Sequence, residues 1–200
     1  MIIKSIFETS YPGMFKIQPE SSSAFYMRKD YLVSINHEHL IPGYELNDDE
    51  TDELLDAALS CVVELKAVTY LARCEQSRSG LTVKLKNKGF EKKYIDNALS
   101  YLEKAGYLSD ERFCAAWLHS RSLNHYEGKT RLINELMSRG ISKEISVNAV
   151  NDYFSEKDEY ELCRKDVEKL KKRGKQDEKL IAALMKDGFS YKIIKEVLAE

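Results

Sequence analysis

Three copies of one motif follow residue 80 of this 200-residue chain. Each reads Leu-x3-Leu-x3-Gly and is followed by a large apolar residue; we call it the Leu-Leu-Gly motif. The glycines stand 51 and 48 residues apart (140−89 and 188−140). Such a period, with an amphipathic helix pattern after each copy, predicts a helical unit repeated in tandem and an extended surface rather than a single pocket. The copies are Leu81/Leu85/Gly89-Phe90, Leu132/Leu136/Gly140-Ile141 and Leu180/Leu184/Gly188-Phe189.

Prolines and apolar runs narrow the class of protein. The only prolines are Pro12, Pro19 and Pro42, so the rest of the chain lacks the strongest helix breaker. An apolar fraction of 43% and a charged fraction of 32% fit a folded, helical chain. No apolar run approaches about 18 residues, and no basic-then-hydrophobic leader is present, so we expect a cytoplasmic protein without a membrane span.

Charge is distributed unevenly along the chain. The net charge is −2, yet residues 1–60 carry 4 Lys and Arg against 11 Asp and Glu, whereas residues 61–200 carry 27 against 22. The helical part is therefore the candidate for binding anionic partners, although its excess of positive charge is mild.

The first fifty residues differ in pattern from the rest. Short β-branched or aromatic runs at 2–7, 24–27 and 31–35 predict a small antiparallel sheet, with a hairpin connection at 28–30. Asn47, followed by Glu50, resembles a helix N-cap with its reciprocal carboxylate. A helix is predicted from Asp48 to about Arg73. Its apolar positions with helical period are Leu54, Leu55, Ala58, Leu59, Val62, Leu65, Val68 and Leu71.

The motifs predict the organisation of the remaining chain. Each glycine is expected to end its helix in the left-handed conformation, with a second and then a third helix after it; the third module lacks the last one. We predict a mainly α protein of tandem three-helix, helix-turn-helix-like repeats in an elongated array, with a small β-containing N-terminal extension. The predicted segments are an acidic β-rich extension (1–47), a linking helix (48–75), module one (76–124), module two (125–174) and truncated module three (175–200).

The sequence offers no convincing arrangement of catalytic or metal-binding residues. The four cysteines are widely spread in helical apolar patterns, which favours buried free thiols over a zinc site. His37 and His39 do not make a metal site by themselves, and His119 and His125 have no convincing partner. No phosphate loop, nucleophile elbow or zinc-protease motif occurs. We therefore expect a protein that is not an enzyme and uses no cofactor or metal.

Basic side chains are the candidate contacts with a partner. Those near residues 171–175 also favour the helix dipole, so a structural role competes with phosphate or carboxylate binding there. The candidates are Arg73, Arg78, Lys84, Lys88, Lys129, Arg131, Arg139, Lys171, Lys172 and Arg173.

Three stretches resemble the RecX family, the bacterial regulators of the RecA recombinase. They are Gln76-Ser-Arg-Ser-Gly-Leu-x2-Lys-Leu-x3-Gly-Phe90, Gly106-Tyr-Leu-Ser-Asp-x2-Phe113 and Gly128-x2-Arg-Leu-x2-Glu-Leu-x2-Arg-Gly-Ile141. The resemblance covers about residues 61–200, and the last stretch is its most specific part. The departures from the family pattern are Gly80 for Glu, Ser109 for Asp, Cys114 for Ala, and Lys186-Asp187 where a basic pair is usual.

The resemblance implies a regulator that lodges in the groove of the RecA nucleoprotein filament and hinders ATP hydrolysis and strand exchange. We expect the chain to be a monomer. Asp187 would weaken the positive charge of the third module. Single- or double-stranded DNA is a second candidate partner. The alternatives are an autonomous helix-turn-helix-type DNA-binding protein, which helical pairs of this kind also permit, and a helical scaffold for other proteins.

Overall fold

A computed structural model describes residues 1–123 and 125–199. The predicted module boundary at Asn124 and the predicted end of module three at Glu200 lie outside the described residues. The chain forms two compact units, Met1–Leu108 and Ser109–Glu200.

The first unit begins with a three-stranded antiparallel sheet in the order β1 (Ile3–Glu8), β2 (Met14–Pro19) and β3 (Phe25–Arg28). Ile6 lies opposite Ile17, and Phe15 lies opposite Met27. The sequence predicted β1 and β3 but missed β2, where a single short run is closed by Pro19.

The predicted strand at 31–35 is wrong. Residues Lys29–Tyr31 form a 3-10 turn, and the next segment is a loop. The backbone N–H groups of Val33, Ser34 and Ile35 donate to one carboxylate oxygen of Glu53, at 2.6, 2.8 and 3.2 Å. The carboxylate replaces the neighbouring strand that these N–H groups would otherwise require.

Helix α1 spans Asp48–Leu71 and begins with the predicted cap. Glu50 N–H donates to Asn47 Oδ1 at 2.9 Å, and Asn47 N–H donates to Glu50 Oε2 at 3.0 Å. Part of the inward face predicted for α1 is wrong, because small residues of the helix are buried against its neighbours instead. Five of the apolar side chains predicted to face inward are between 39% and 48% exposed. They are Leu55, Leu59, Val62, Leu65 and Val68.

A buried ion pair fastens the sheet to α1. Arg28 Nη2 lies 2.6 Å from Glu64 Oε1, and Arg28 Nε donates to Glu64 Oε2 at 2.8 Å. Tyr31 donates its hydroxyl to the same carboxylate at 2.9 Å, and the guanidinium lies 4.2 Å from the centre of the Tyr101 ring. The acidic N-terminal region is therefore built into the core of the first unit.

Within the described residues, the first unit has two further α-helices and the second unit has six. The first unit adds α2 (Arg78–Lys86) and α3 (Lys92–Lys104). The second contains α4 (Asp110–Ser122), α5 (Lys129–Ser138), α6 (Lys143–Ser155), α7 (Glu159–Lys172), α8 (Asp177–Lys186) and α9 (Tyr191–Ala199).

The apolar clusters show that each module begins one helix earlier in the chain than the sequence predicted. One cluster joins α1, α2 and α3, a second joins α4, α5 and α6, and a third joins α7, α8 and α9. Thus α4 and α7, predicted as third helices, pack as the first helices of the next modules, and the described part of the third module contains three helices. The reason is that Cys114 and Leu118 of α4, and Cys163 and Val167 of α7, pack against the helix pairs that follow them.

The Leu-Leu-Gly motif ends its helix in the same way in all three copies. In the first, Gly89 N–H donates to the Lys86 carbonyl at 2.9 Å and Phe90 N–H donates to the Leu85 carbonyl at 3.3 Å. The glycines have φ of 86°, 81° and 95°, so the predicted left-handed stops are confirmed. This is the Schellman arrangement, in which the apolar residue after the glycine returns to the core.

Candidate partner-binding surfaces

Burial divides the ten predicted cations into two groups. The side chains of the first group are half-buried, and those of the second group are exposed to solvent. The first contains Arg78, Lys129, Arg131 and Arg139. The second contains Arg73, Lys84, Lys88, Lys171, Lys172 and Arg173.

Arg131 is the centre of an ion-pair network between the second and third modules. Its Nε lies 2.6 Å from Glu127 Oε1, and its Nη1 lies 2.5 Å from Asp187 Oδ1. The Glu127 side chain is only 5% exposed and is also paired with Arg121 at 2.5 Å. Because its carboxylate is buried, loss of Arg131 would leave a poorly compensated negative charge. The Asp187 departure from the family pattern thus supplies a partner for Arg131.

Two glycines allow the backbones to approach closely at the same junction. Gly128 N–H donates to the Asp187 carbonyl at 2.9 Å. A Cβ on Gly128 would overlap the Gly188 backbone, and a Cβ on Gly188 would overlap Arg131. The junction therefore requires glycine at position 128 for space, and at position 188 both for space and for its positive φ.

Arg139 is held within the second module. Its Nη1 lies 2.6 Å from Glu135 Oε2, and its guanidinium lies 4.8 Å from the centre of the Trp117 ring. The hydrogen bond from Arg139 lowers the pKa of Glu135. Lys129 Nζ lies 5.4 Å from the centre of the Phe154 ring. These cations contribute to packing as well as to charge.

Arg78 also makes contacts inside its unit. Its guanidinium pairs with Glu103 and donates to Ser100 Oγ at 3.2 Å, which joins the start of α2 to α3. A structural role therefore accounts for its position.

Exposed cations collect along α2 and the turns beside it. We call Arg73, Lys84, Lys86 and Lys88 the α2 surface; all four side chains are exposed. Lys84 Nζ donates to Gln76 Oε1 at 2.6 Å and lies 5.6 Å from the centre of the Tyr70 ring. The α2 surface thus combines exposed positive charge with an adjacent aromatic ring.

A second basic surface lies at the end of α7. Tyr126 and Leu123 line a shallow depression of about 510 Å³ with the α7 side chains, and we call this the α7 surface. Lys169 Nζ lies 5.5 Å from the centre of the Tyr126 ring. The α7 residues that line it are Lys165, Glu168, Lys169, Lys172 and Arg173.

The α7 surface includes only part of the predicted cluster. Lys171 instead lines a separate depression with Leu180 and Ile181. Tyr126 was missed by the sequence reasoning, because it lies outside the helices and nothing local marks it as a neighbour of Lys169.

Three of the four cysteines are buried free thiols. Burial raises the pKa of the Cys61 thiol to about 12, and that of Cys114 and Cys163 to about 11. Cys74 departs from the predicted burial, because it lies exposed in the turn after α1. Across residues 1–123 and 125–199, no group of three or more His, Cys, Asp or Glu side chains could hold a metal ion. In the same ranges, no helix is long and apolar enough to cross a membrane.

Comparison with known proteins relates this geometry to a family. A family model described as the second three-helix domain of RecX matches residues 109–149. Regulatory protein RecX of Treponema pallidum (strain Nichols) is 33% identical over 157 residues, which cover 78% of this chain and 96% of that protein. The chain belongs to the RecX family. Regulatory protein RecX of Caldanaerobacter subterraneus subsp. tengcongensis is 30% identical over 132 residues, 66% of each chain.

Solved RecX structures share the fold. A crystal structure of regulatory protein RecX matches with a TM-score of 0.78 at 20% identity and covers 100% of this chain and 99% of that one. The crystal structure of RecX from Lactobacillus salivarius matches with a TM-score of 0.62 at 21% identity, covering 70% and 95%. The RecX model begins at Ser109, whose hydroxyl accepts a hydrogen bond from Arg112 N–H at 3.1 Å to cap α4.

The most specific part of the RecX resemblance coincides with the junction. Gly128 and Arg131 contact the third module, and Glu135 pairs with Arg139. These residues therefore have structural reasons for their identity, and the exposed cations are the better candidates for contact with a partner.

Proposed function

We propose that this RecX-family chain is a regulatory protein that binds in the groove of the RecA–DNA filament and lowers RecA ATP hydrolysis, strand exchange and filament stability. The observation that carries the proposal is the 33% identity with a regulatory protein RecX along 96% of its length. The chain acts by binding, without a cofactor and without chemistry of its own.

The α2 surface is the proposed principal contact. Exposed lysines can pair with phosphate or carboxylate oxygens without breaking internal ion pairs, whereas Arg131 would have to leave the buried Glu127 carboxylate. Phosphate binding by such side chains releases counterions, so the interaction should weaken steeply as salt rises.

The α7 surface is the proposed second contact. It offers Lys172 and Arg173 beside the Tyr126 ring, a combination suited to stacking and to charge pairing. Two weak contacts on one chain give a higher apparent affinity than either surface alone, provided that both are engaged together.

The direct test is a titration of the chain into RecA carrying out DNA-dependent ATP hydrolysis at moderate salt. We expect the rate to fall as the chain is added in amounts comparable to RecA. An unchanged rate at equal concentrations, with strand exchange also unchanged, would contradict the proposal.

A matched measurement without RecA distinguishes this function from autonomous DNA binding. Fluorescence anisotropy of labelled single- and double-stranded DNA should show only weak, salt-sensitive binding without sequence preference. Tight binding to one sequence would instead indicate an autonomous DNA-binding protein.

A further inference from the structure

An acidic groove, in contrast to the basic α2 and α7 surfaces, lies between α4 and α6 in the second unit. It has a volume of about 500 Å³ and an apolar floor. Leu118 is buried, Ile145, Ala149 and Tyr153 are half-buried, and Ala115 is exposed. The floor thus presents apolar side chains that the packing of the second module leaves partly uncovered.

Carboxylates surround this floor. Glu144 and Asp152 lie two helical turns apart on α6, Glu156 follows the end of that helix, and Glu111 lies in the first turn of α4. In the described parts of the chain, Glu144, Asp152 and Glu156 have no ion-pair partner. Lys157 is the one Lys or Arg among the lining residues, and its Nζ lies 4.6 Å from the centre of the Tyr153 ring.

We propose that the α4–α6 groove binds a basic amphipathic helix from a partner protein. An apolar side chain of the partner would cover Ala115, Ile145 and Tyr153, while its lysines or arginines would pair with the carboxylates on the rim. A shallow apolar groove between two helices is a common binding site for a third, amphipathic helix. The surrounding charge selects a cationic partner and repels nucleic acid.

The groove does not share its lining residues with the surfaces proposed to act on RecA. The α2 and α7 surfaces are basic and lie on other helices, so the groove gives the chain a second binding specificity. Removal of the groove's charge should therefore leave binding to anionic partners through those surfaces intact.

The test uses a fluorescent peptide as long as α6, with leucine and lysine at helical spacing, and an otherwise identical peptide with glutamate in place of lysine. We expect the lysine peptide to bind the full chain and the glutamate peptide not to bind. Anisotropy should also show that binding of the lysine peptide weakens as salt rises. Equal binding of the two peptides, or no binding of the lysine peptide at low salt, would overturn the proposal.

Charge variants of the groove test whether the peptide binds there. Glu144→Lys with Asp152→Lys should weaken binding of the lysine peptide about tenfold or more, because two attractive rim charges become repulsive. The matched control, Glu20→Lys with Glu178→Lys, makes the same change in net charge at exposed positions that do not line the groove. The control should bind within about twofold of the unaltered chain.

Ala115→Trp tests the apolar floor without any change of charge. Ala115 is exposed on α4, so the larger side chain can be accommodated there while it covers the floor. Weaker binding with an unchanged circular dichroism spectrum is the expected result. Unaltered binding in both groove variants would place the peptide elsewhere and refute the inference.

Discussion

Helices α2 and α5 hold the same place in successive modules, yet they use their cations differently. Lys88 and Arg139 both immediately precede the motif's glycine. Four residues earlier the second module has Glu135, which pairs with Arg139, whereas the first module has Lys84. Without a carboxylate at that position, the α2 cations remain in solvent. Equal positions in a repeat therefore do not imply equal roles: α5 uses its charges for structure, and α2 leaves them available to a partner.

The largest effect should come from Gly128→Ala at the junction of the second and third modules. The added methyl group overlaps the Gly188 backbone, which cannot move without disturbing Arg131. We expect a loss of about 3 kcal/mol in the free energy of unfolding, as for other overpacked sites. Urea unfolding, monitored by circular dichroism, measures it.

Gly89→Ala is the matched change in the first module. Gly89 has φ +86° but nothing within 4 Å of a Cβ at that position. Only the left-handed backbone opposes the substitution, and the expected loss is about 1 kcal/mol. Equal losses of unfolding free energy for the two variants would show that the backbones of Gly128 and Gly188 do not approach closely in solution.

Arg131→Ala should come next in size. The substitution removes the ion-pair partner of Asp187 and one of the two partners of Glu127, and Arg121 still pairs with Glu127. We expect a loss of about 2 kcal/mol, less than for a completely uncompensated buried charge. Lys84→Ala in α2 should change stability by no more than about 0.5 kcal/mol.

A double-mutant cycle with Asp187→Ala checks the cause. The combined variant should lose less stability than the two single changes added together, because both remove the same ion pair. Full additivity would mean that Arg131 and Asp187 do not interact in solution.

A smaller, pH-dependent effect is expected at Asp166 on α7. Its side chain is buried, and burial together with the nearby Asp187 charge raises its pKa to about 6 from the ordinary 3.8. The folded state therefore holds this proton more tightly than the unfolded state. The contribution to stability is complete below about pH 4 and is lost as pH rises through about 6.

Asp166→Asn removes that pH dependence. Because asparagine stays neutral, the variant should gain about 1–2 kcal/mol over the unaltered chain at pH 8 relative to their difference at pH 4. Urea unfolding at the two pH values measures the gain. Lys169 and Arg173 lower the pKa of Asp166, so a difference that does not change with pH would mean that these two cations offset the effects of burial and of Asp187.

Local features of the fold could be predicted from the sequence. The glycine stops, the Asn47–Glu50 cap and the Ser109 cap depend on residues within six positions of each other, and the pattern of side chains is sufficient to predict them. The family resemblance rests on the same local stretches.

Long-range relations could not be predicted. The apolar faces of α4 and α7 suit either neighbouring helix pair, so periodicity alone does not decide the grouping. Arg131 and Asp187 are 56 residues apart, and Arg28 and Glu64 are 36 apart. The acidic groove exists only because α4 packs beside α6, which no local pattern indicates.

We infer that the exposed cations of the α2 surface contact the RecA filament, whereas the cations of α5 stabilise the fold. The most direct test is inhibition of RecA DNA-dependent ATP hydrolysis by Lys84→Ala/Lys88→Ala, beside the control Lys4→Ala/Lys16→Ala, which removes the same charge at exposed positions of the sheet. We predict that the α2 variant needs about tenfold more protein for half-inhibition while the control stays within about twofold. Unchanged inhibition by a folded α2 variant would contradict the claim.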